Sequence, residues 1–371
     1  MGAQESGGSA KVTDMKWVKT GLLMGGIVAA TVQTGAIAQL THEREAIATH
    51  LPTNLTTLMP ASAIAAALSE GPLLISQSAA DYRIPALQKD FTGSLWIGSW
   101  QGQLARINPE TGQVQATIPM PDRTIQALAQ DRVGRIWAGT YSGLVRVDPR
   151  SNQVTAANFS LPSSQVLSLL IDTRGFLWVG TDQGLAMVSP DQGLLMTTLR
   201  GLSGVSANVM EIDNNGQLWV GTLNGLTQVN TASAREIRVV RNIPGSVVQA
   251  LEIGPQGNLW VGTPAGLFVV TPEDGQLVRR VGSMVGQNVL SLAFDPNQAL
   301  WVGTESGLST LNPYNGEIFG DVLGLPGRQT LAISPDTGNK VWVGTREGLG
   351  WVSTSTGRGV PHLGFTNPRA L

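Results

Sequence analysis

The sequence predicts an all-β fold, a seven-bladed β-propeller made of four-stranded antiparallel blades of 41 residues. Two observations carry this prediction. A phrase of the form LWVGT recurs with its tryptophan every 41 residues, at Trp96, Trp137, Trp178, Trp219, Trp260, Trp301 and Trp342. Turn signals recur about every ten residues within each copy, which is typical of short antiparallel strands. A repeat of this length with four strands in each copy indicates propeller blades.

Each copy carries the parts of one blade in order. A large apolar residue nine positions before tryptophan, preceded by a small one in six copies, marks a first strand at the crowded centre of a ring. An Asp-x-x-Gly turn leads to the LWVGT strand, because aspartate caps its own backbone and glycine accepts a positive φ. A two-residue tip and a glycine lead to a third strand, and a fourth follows. The tryptophan is the packing anchor of the blade.

The seventh blade needs a fourth strand, and the sequence offers two candidates. A shift of 41 residues aligns Pro72 to Leu87 with Gln113 to Leu128, which puts Leu73 to Ser76 in the place of a fourth strand. The other candidate, Gly359 to Leu363, contains Pro361, which cannot donate to a strand ladder. We therefore expect the N-terminal strand to close the ring.

An export signal precedes the repeats. Two lysines come before an uncharged stretch from Thr20 to Leu40, and Ala36 to Ala38 has the small-x-small form of a signal peptidase site. Residues 1–38 are therefore interpreted as a signal peptide, with an uncleaved N-terminal anchor as the alternative.

The remaining chain divides into a linker and one domain. Residues 39–71 form the linker, with a short helix candidate at Ala61 to Leu68, and residues 72–371 form the propeller. Export would place this propeller in the periplasm, the thylakoid lumen or outside the cell. We expect a monomer that meets a membrane only through an N-terminal tether.

Composition excludes several classes of function. The formal net charge of −2 gives no global attraction for nucleic acid. The absence of cysteine excludes disulfides, thiol catalysis and thiolate metal sites. The three histidines, His42, His50 and His362, lie before or after the blades, so no blade supplies a histidine base. We expect no cofactor and no enzymatic activity.

The motif D-x-x-G-x-L-W-V-G-T-x-x-G-L resembles the two-component regulator propeller repeat, over all seven copies from Arg83 to about Val352. The resemblance implies a propeller outside the cytoplasmic membrane that binds a ligand, often a glycan fragment, or a protein partner. Such sensors continue into a membrane span and a kinase, whereas this sequence ends at Leu371, so we expect a stand-alone exported propeller. The repeat is also similar to that of streptogramin lyases, which use His and Glu near the axis, and the blades lack those histidines.

Positions that escape the repeat predict a binding surface. In propellers the tips between second and third strands share a face with the links between blades. On contiguous blades 7, 1 and 2 these positions hold arginines and aromatic residues, the types enriched in binding hot spots. This arginine–aromatic sector consists of Trp100, Arg123, Tyr141, Arg83, Tyr82, Arg328 and Arg346. Scattered surface side chains without a common ligand are the alternative.

Blade 1 also departs from the repeat at Gly102-Gln103-Leu104, where one residue is inserted beside Trp100. Such insertions often redirect a side chain near a site. The leading hypothesis is a non-enzymatic module that binds a protein, or a small anionic or glycan ligand, through the arginine–aromatic sector. A periplasmic sensory accessory of a two-component system is the alternative.

Two acidic residues are a weak metal-site candidate. Glu211 and Glu252 stand eight positions before tryptophan in the first strands of neighbouring blades 4 and 5. Two carboxylates near the channel could bind a cation or shift each other's pKa. Two glutamates in contact with channel water are the alternative, and no other metal site is expected.

Overall fold

A computed structural model describes residues 81–157, 159–353 and 355–370. It contains seven antiparallel sheets, each of four strands that follow one another in sequence, so the seven-bladed propeller is confirmed. Two short 3₁₀ turns, Gly282–Met284 and Pro368–Ala370, also occur. Within these described ranges no helix is long and apolar enough to cross a membrane.

The 28 strands keep the order predicted from the repeat. The first strands are β1 Ala86–Lys89, β5 Ile125–Gln130, β9 Val166–Ile171, β13 Val209–Ile212, β17 Ala250–Ile253, β21 Val289–Phe294 and β25 Thr330–Ser334. The second strands are β2 Leu95–Gly98, β6 Ile136–Thr140, β10 Leu177–Thr181, β14 Leu218–Thr222, β18 Leu259–Thr263, β22 Leu300–Thr304 and β26 Lys340–Thr345. The third strands are β3 Gln103–Ile107, β7 Gly143–Asp148, β11 Gly184–Ser189, β15 Gly225–Asn230, β19 Gly266–Val270, β23 Leu308–Leu311 and β27 Gly348–Ser353. The fourth strands are β4 Val114–Pro119, β8 Gln153–Ala157, β12 Leu194–Leu199, β16 Arg235–Val240, β20 Leu277–Arg280, β24 Ile318–Asp321 and β28 Gly359–Thr366.

The first strands form a closed inner ring. Each contacts the first strand of the next blade, and β25 contacts β1. They surround an axial channel of about 590 Å³. The glycine of the LWVGT strand allows this close approach, since a Cβ on Gly139 would overlap the side chain of Val166 in the next blade.

In five of the seven blades the repeated aspartate accepts a hydrogen bond from the indole of the repeated tryptophan. In blade 4, Asp213 Oδ1 accepts the backbone N–H groups of Asn215 and Gln217, each at 2.9 Å. The other oxygen accepts the indole N–H of fully buried Trp219, also at 2.9 Å. Gly216 has a φ of +73°, as the turn motif predicts. The same aspartate–indole bond occurs in Trp96–Asp90, Trp137–Asp131, Trp178–Asp172 and Trp301–Asp295.

Blades 5 and 7 lack the aspartate–indole hydrogen bond. In blade 7 the indole of Trp342 donates to the backbone oxygen of Thr337 at 3.1 Å. In blade 5 the aspartate is replaced by Gly254, and Trp260 packs at the edge of Phe294 with ring centroids 5.8 Å apart. The aspartate–indole bond is therefore the common solution and not an absolute requirement of the blade.

The seventh blade is completed by the C-terminal strand, which corrects the prediction. β28 lies next to β27 and occupies the place that the sequence assigned to Leu73 to Ser76. Pro361 is accommodated opposite Gly350 because β28 is an outer edge strand, which needs no donor on its free side. The segment Leu73 to Ser76 lies outside the described residues, as do the predicted signal segment and linker.

The C-terminal strand also joins the last blade to the first. His362 in β28 donates from Nε2 to the backbone oxygen of Gly112 in blade 1 at 2.7 Å. Lys340 Nζ donates to the backbone oxygen of Pro109 in the same turn at 3.1 Å. His362 thus lies inside blade 7, which corrects the expectation that no blade contains a histidine, and it belongs to the contact between blades 7 and 1.

Candidate functional site

The strand tips and the blade links lie on one face, as predicted. Backbone N–H groups of the tips donate to carbonyl oxygens of the links just before the same blade. These bonds are Trp100 to Arg83 at 3.1 Å, Asp182 to Gln165 at 3.3 Å, Glu305 to Asn288 at 3.2 Å and Arg346 to Gln329 at 3.1 Å. We call this the upper face. It carries the arginine–aromatic sector.

Three members of the sector are in direct contact and form what we call the Trp100 cluster. The guanidinium carbon of Arg83 lies 3.6 Å from the centroid of the Trp100 ring. Tyr141, from the neighbouring blade, meets Trp100 edge-on, with ring centroids 5.4 Å apart and planes at 71°. Both contacts are favourable arrangements for an aromatic ring, whose negative face attracts a cation and whose edge attracts another face.

The inserted residue of blade 1 shapes this cluster. The tip hydroxyl of Ser99 reaches Gln103 O at 3.0 Å, whereas the matching Thr140 in blade 2 reaches Gly143 O at 2.9 Å, one residue sooner. The predicted insertion is thus confirmed. Gly102 has a φ of +80°, and a Cβ there would lie 3.0 Å from Cγ of Arg123. The longer tip therefore brings Gly102 against the link that carries Arg123.

Asp81, which the sequence analysis missed, holds Arg83 in place. Arg83 Nε donates to both oxygens of the Asp81 carboxylate at 2.9 Å, and Nη2 forms an ion pair with it. Burial alone would raise the pKa of Asp81, but hydrogen bonds from Arg83 and the charges of Arg83 and Arg346 lower it. The available signal was the 41-residue spacing from Asp122, which accepts the equivalent backbone hydrogen bond in the next link.

The other predicted residues are less closely joined. Arg123 and Arg346 are exposed, and neither forms an ion pair within the described ranges. Arg346 donates from Nη1 to Gln329 Oε1 at 3.4 Å. Arg328 lines a separate groove of about 570 Å³ along blade 6, and half-buried Tyr82 takes no part in the Trp100 cluster.

One donor of the cluster lacks a partner. The indole N–H of Trp100 is enclosed by protein, yet it meets no acceptor in the described part of the chain. Arg83 stacks on this ring, and the exposed Arg123 and Arg346 lie on the same face, which also carries the carboxylates of Asp81, Asp122 and Glu347. Asp81 and Asp122 already accept hydrogen bonds from their own links, so the exposed guanidinium groups of Arg123 and Arg346 remain for a ligand rich in acceptors.

The two glutamates lie at the inner ends of blades 4 and 5, directly after the channel-lining residues Met210 and Leu251. Burial raises the pKa of Glu211 to about 7. Burial, together with the charge of Glu211, raises the pKa of Glu252 to about 8. The charge of Glu211 thus acts on its neighbour Glu252. A cation site at this pair stays a prediction, and no group of three His, Asp or Glu side chains suited to a metal occurs among the residues described.

The repeat is identified independently by a family model. Residues 119–142, 160–183 and 242–265 match the model of the two component regulator propeller. Each segment spans a link, the first two strands and the start of the tip of one blade. No curated protein matches the sequence.

Solved structures share the fold. The extracellular domain of BT4673 from B. thetaiotaomicron, described as a hybrid two component system, superposes with a TM-score of 0.63 at 21% identity. That match covers 75% of this chain and 41% of the other. The extracellular domain of BT3049 from the same organism, described in the same way, gives 0.61 and 18%, covering 74% and 40%. This chain therefore spans about two fifths of the length of those proteins.

A lyase shares the fold as well. A catalytically inactive virginiamycin B lyase from Staphylococcus aureus, solved with quinupristin, matches with a TM-score of 0.62 at 13% identity, covering 72% of this chain and 94% of the other. Identities this low show the fold alone. The seven sheets form a seven-bladed propeller, and three of its blades match the two component regulator propeller repeat.

Proposed function

We propose that this protein is an exported, non-enzymatic propeller that binds a protein partner, or a small anionic or glycan ligand, through the arginine–aromatic sector. The observation that carries the proposal is the Trp100 cluster, in which an arginine and two aromatic rings from adjacent blades meet at an enlarged tip. Arginine, tryptophan and tyrosine dominate the energy of binding surfaces because they combine large contact areas with directed hydrogen bonds.

The blade architecture does not require this cluster. The other tips contain Asp182, Leu223, Pro264 and Glu305 at the position of Trp100 or Tyr141, and their blades have the same four strands. The aromatic tips are therefore free to serve recognition. The exposed Arg123 and Arg346 extend the surface on both sides of the cluster and would attract acidic groups.

Two further observations support a non-enzymatic role. His362 is engaged in the contact between blades 7 and 1 and not in the channel. The channel is lined by the side chains of apolar residues, serines and amides. Among the described residues that line the channel none is a histidine, aspartate or glutamate, and Glu211 and Glu252 lie one position beyond this lining.

A sensory accessory is the second candidate. It is favoured by the fold shared with extracellular domains of proteins described as two component systems. In this case the propeller would present a small ligand, such as a glycan fragment, to a separate membrane sensor. Cross-linking in intact cells would separate the two candidates, because recovery of a membrane kinase favours signalling and recovery of other exported proteins favours a scaffold.

A double variant tests the proposed surface. Trp100→Ala with Arg123→Ala should abolish capture of the natural partner from a native extract and lower the free energy of unfolding by only about 1–2 kcal/mol, the sum expected for one cation–π and one edge contact. Leu223→Ala with Arg241→Ala is the matched control, because it removes an exposed tip and an exposed link arginine at blade 4. Capture that survives the first variant, or is lost equally in both, would refute the assignment.

A further inference from the structure

We propose that the carboxylate of Asp81 occupies the place of the ligand, so that the Trp100 cluster is a carboxylate-binding site held closed by the chain itself. This inference rests on the proposed function and names the ligand chemistry of that site. An external carboxylate would replace Asp81 on the guanidinium edge of Arg83 while the flat face of the guanidinium stays on Trp100.

The pairing geometry defines the ligand class. Arg83 presents its Nε and Nη2 edge to Asp81, and Asp81 meets it with both oxygens. This two-point arrangement is the one by which arginine recognises a planar carboxylate. A ligand that competes for this edge must carry the same planar group. A flat or apolar part next to it could then pack against Trp100 and Tyr141.

The pair is weak enough to exchange. The side chains of Arg83 and Asp81 retain 31% and 33% of their exposure, so water reaches the contact from one side. Exposed ion pairs contribute little, because water solvates both partners when they separate. An external carboxylate pays an association entropy that the tethered Asp81 avoids, so its added contact with the aromatic rings has to offset that cost.

A matched position shows which part of Asp81 is structural. Asp122, 41 residues later, accepts the backbone N–H of Thr124 at 3.0 Å, as Asp81 accepts that of Arg83 at 3.1 Å. Asp122 directs its other oxygen to the Thr124 hydroxyl at 3.0 Å and the backbone N–H of Ser142 at 2.8 Å. The turn is thus common to both links, whereas the arginine pair belongs to Asp81. Asparagine keeps the turn oxygen at either position and removes the charge.

The test compares Asp81→Asn with Asp122→Asn in the full chain. Binding of two carboxylate probes, benzoate and a hexaglutamate peptide, would be measured by calorimetry at low salt. We expect Asp81→Asn to tighten binding by about fivefold, the order of one exposed ion pair. Asp122→Asn should change it by less than about twofold, although it removes the same charge from the same face. Arg83→Lys added to Asp81→Asn should cancel the gain, because lysine keeps the charge and loses the two-point edge.

The outcomes separate this inference from the proposed function. Equal gains in both asparagine variants would reduce the effect to general electrostatics, and weaker binding in Asp81→Asn would make Asp81 part of the site; either result overturns the inference. Failure of both probes to bind either protein also overturns the carboxylate class. Binding of benzoate supports a small free ligand, and binding of the peptide alone supports an acidic protein segment. Partner capture by the Trp100→Ala, Arg123→Ala variant judges the proposed function separately.

Discussion

The tryptophan side chain has a different role at position 219, inside a blade, than at position 100, on a tip. Trp219 is fully buried between blades, and its indole N–H is bonded to Asp213 of its own blade. Trp100 lies half-buried at a tip, with an arginine on its face and no acceptor for its N–H. Polar groups that are paired inside the repeat leave nothing for a ligand to satisfy. The variable tip instead presents the partly exposed stack of Arg83 on Trp100, which an external partner can contact.

Truncation of the two tryptophans gives the largest expected difference. Trp219→Ala should lower the free energy of unfolding by about 3–5 kcal/mol, because it leaves a cavity between blades and removes the indole donor of the Asp213 carboxylate. Trp100→Ala should lower it by about 1–2 kcal/mol, since only a cation–π and an edge contact are lost. Urea unfolding followed by circular dichroism measures both. Equal losses would mean that Trp100 is an architectural residue, and the comparison would fail.

Asp213 and Glu211 extend the comparison within a single strand and turn. The Asp213 carboxylate accepts the N–H groups of Asn215, Gln217 and Trp219. The Glu211 carboxylate, two residues earlier, is stabilised only by the backbone N–H of Ile212, and burial outweighs it. Burial also raises the pKa of Glu252, and the neighbouring charge of Glu211 raises it further. Buried carboxyl groups without enough donors prefer to remain protonated.

This difference predicts a pH dependence of stability. The folded-state pKa values of about 7 and about 8 lie above the ordinary value of 4.5. The folded state therefore holds more protons than the unfolded state between these limits, and stability falls as pH rises from about 4.5 to about 8. Glu211→Gln with Glu252→Gln should raise the melting temperature at pH 8 by more than about 3 °C and leave it nearly unchanged at pH 4.5.

The matched control replaces two exposed glutamates, Glu273→Gln with Glu305→Gln, and removes the same net charge. This variant should follow the pH profile of the original protein. If both double variants changed the pH dependence of the melting temperature equally, that dependence would be an effect of net charge. A flat profile in the original protein would show that the pair is solvated well enough to ionise without cost.

The sequence predicted the fold well because the features that define a blade are local. The spacing of Asp, Gly and Trp within a hairpin sets the turn, the packing residue and the register, and seven copies repeat the signal. The aspartate–indole bond was not foreseen, since it needs the hairpin geometry that brings residues six apart together. The closing strand was misassigned because a shift of 41 residues cannot show that the outer position tolerates Pro361.

The site was predicted less completely. Blade order placed Arg83, Trp100 and Tyr141 on one sector, and the structure brings them into contact. The same reasoning placed Arg328 in this sector because its link precedes blade 7. The structure puts Arg328 in the separate groove along blade 6, because the chain after β24 follows a course that blade order does not predict. Asp81 was missed because its pairing with Arg83 depends on the directions of the two side chains, which sequence spacing does not show. Sequence spacing thus predicted which blades carry these residues, and the tertiary structure determines which of them are in contact.

Blade 5 offers the smallest and most specific test of the comparison. Gly254→Asp restores the aspartate of the repeat, so sequence reasoning alone expects a more stable blade. A Cβ at Gly254, however, would lie 2.5 Å from Trp260 Nε1 and 3.3 Å from Phe294 Cζ, because the indole already fills that space. We expect a loss of about 1–3 kcal/mol from overpacking, measured by urea unfolding.

Gln256→Asp adds the same charge to an exposed position of that hairpin and should cost less than about 0.5 kcal/mol. A gain in stability for Gly254→Asp would show that Trp260 can turn to meet the new carboxylate. The aspartate–indole bond would then outweigh packing in every blade, and the unpaired N–H of Trp100 would represent a larger cost than its contacts suggest. A loss would instead show that each blade has its own packing, so that the unpaired indole of Trp100 has to be judged from its contacts with Arg83 and Tyr141 and not from the repeat.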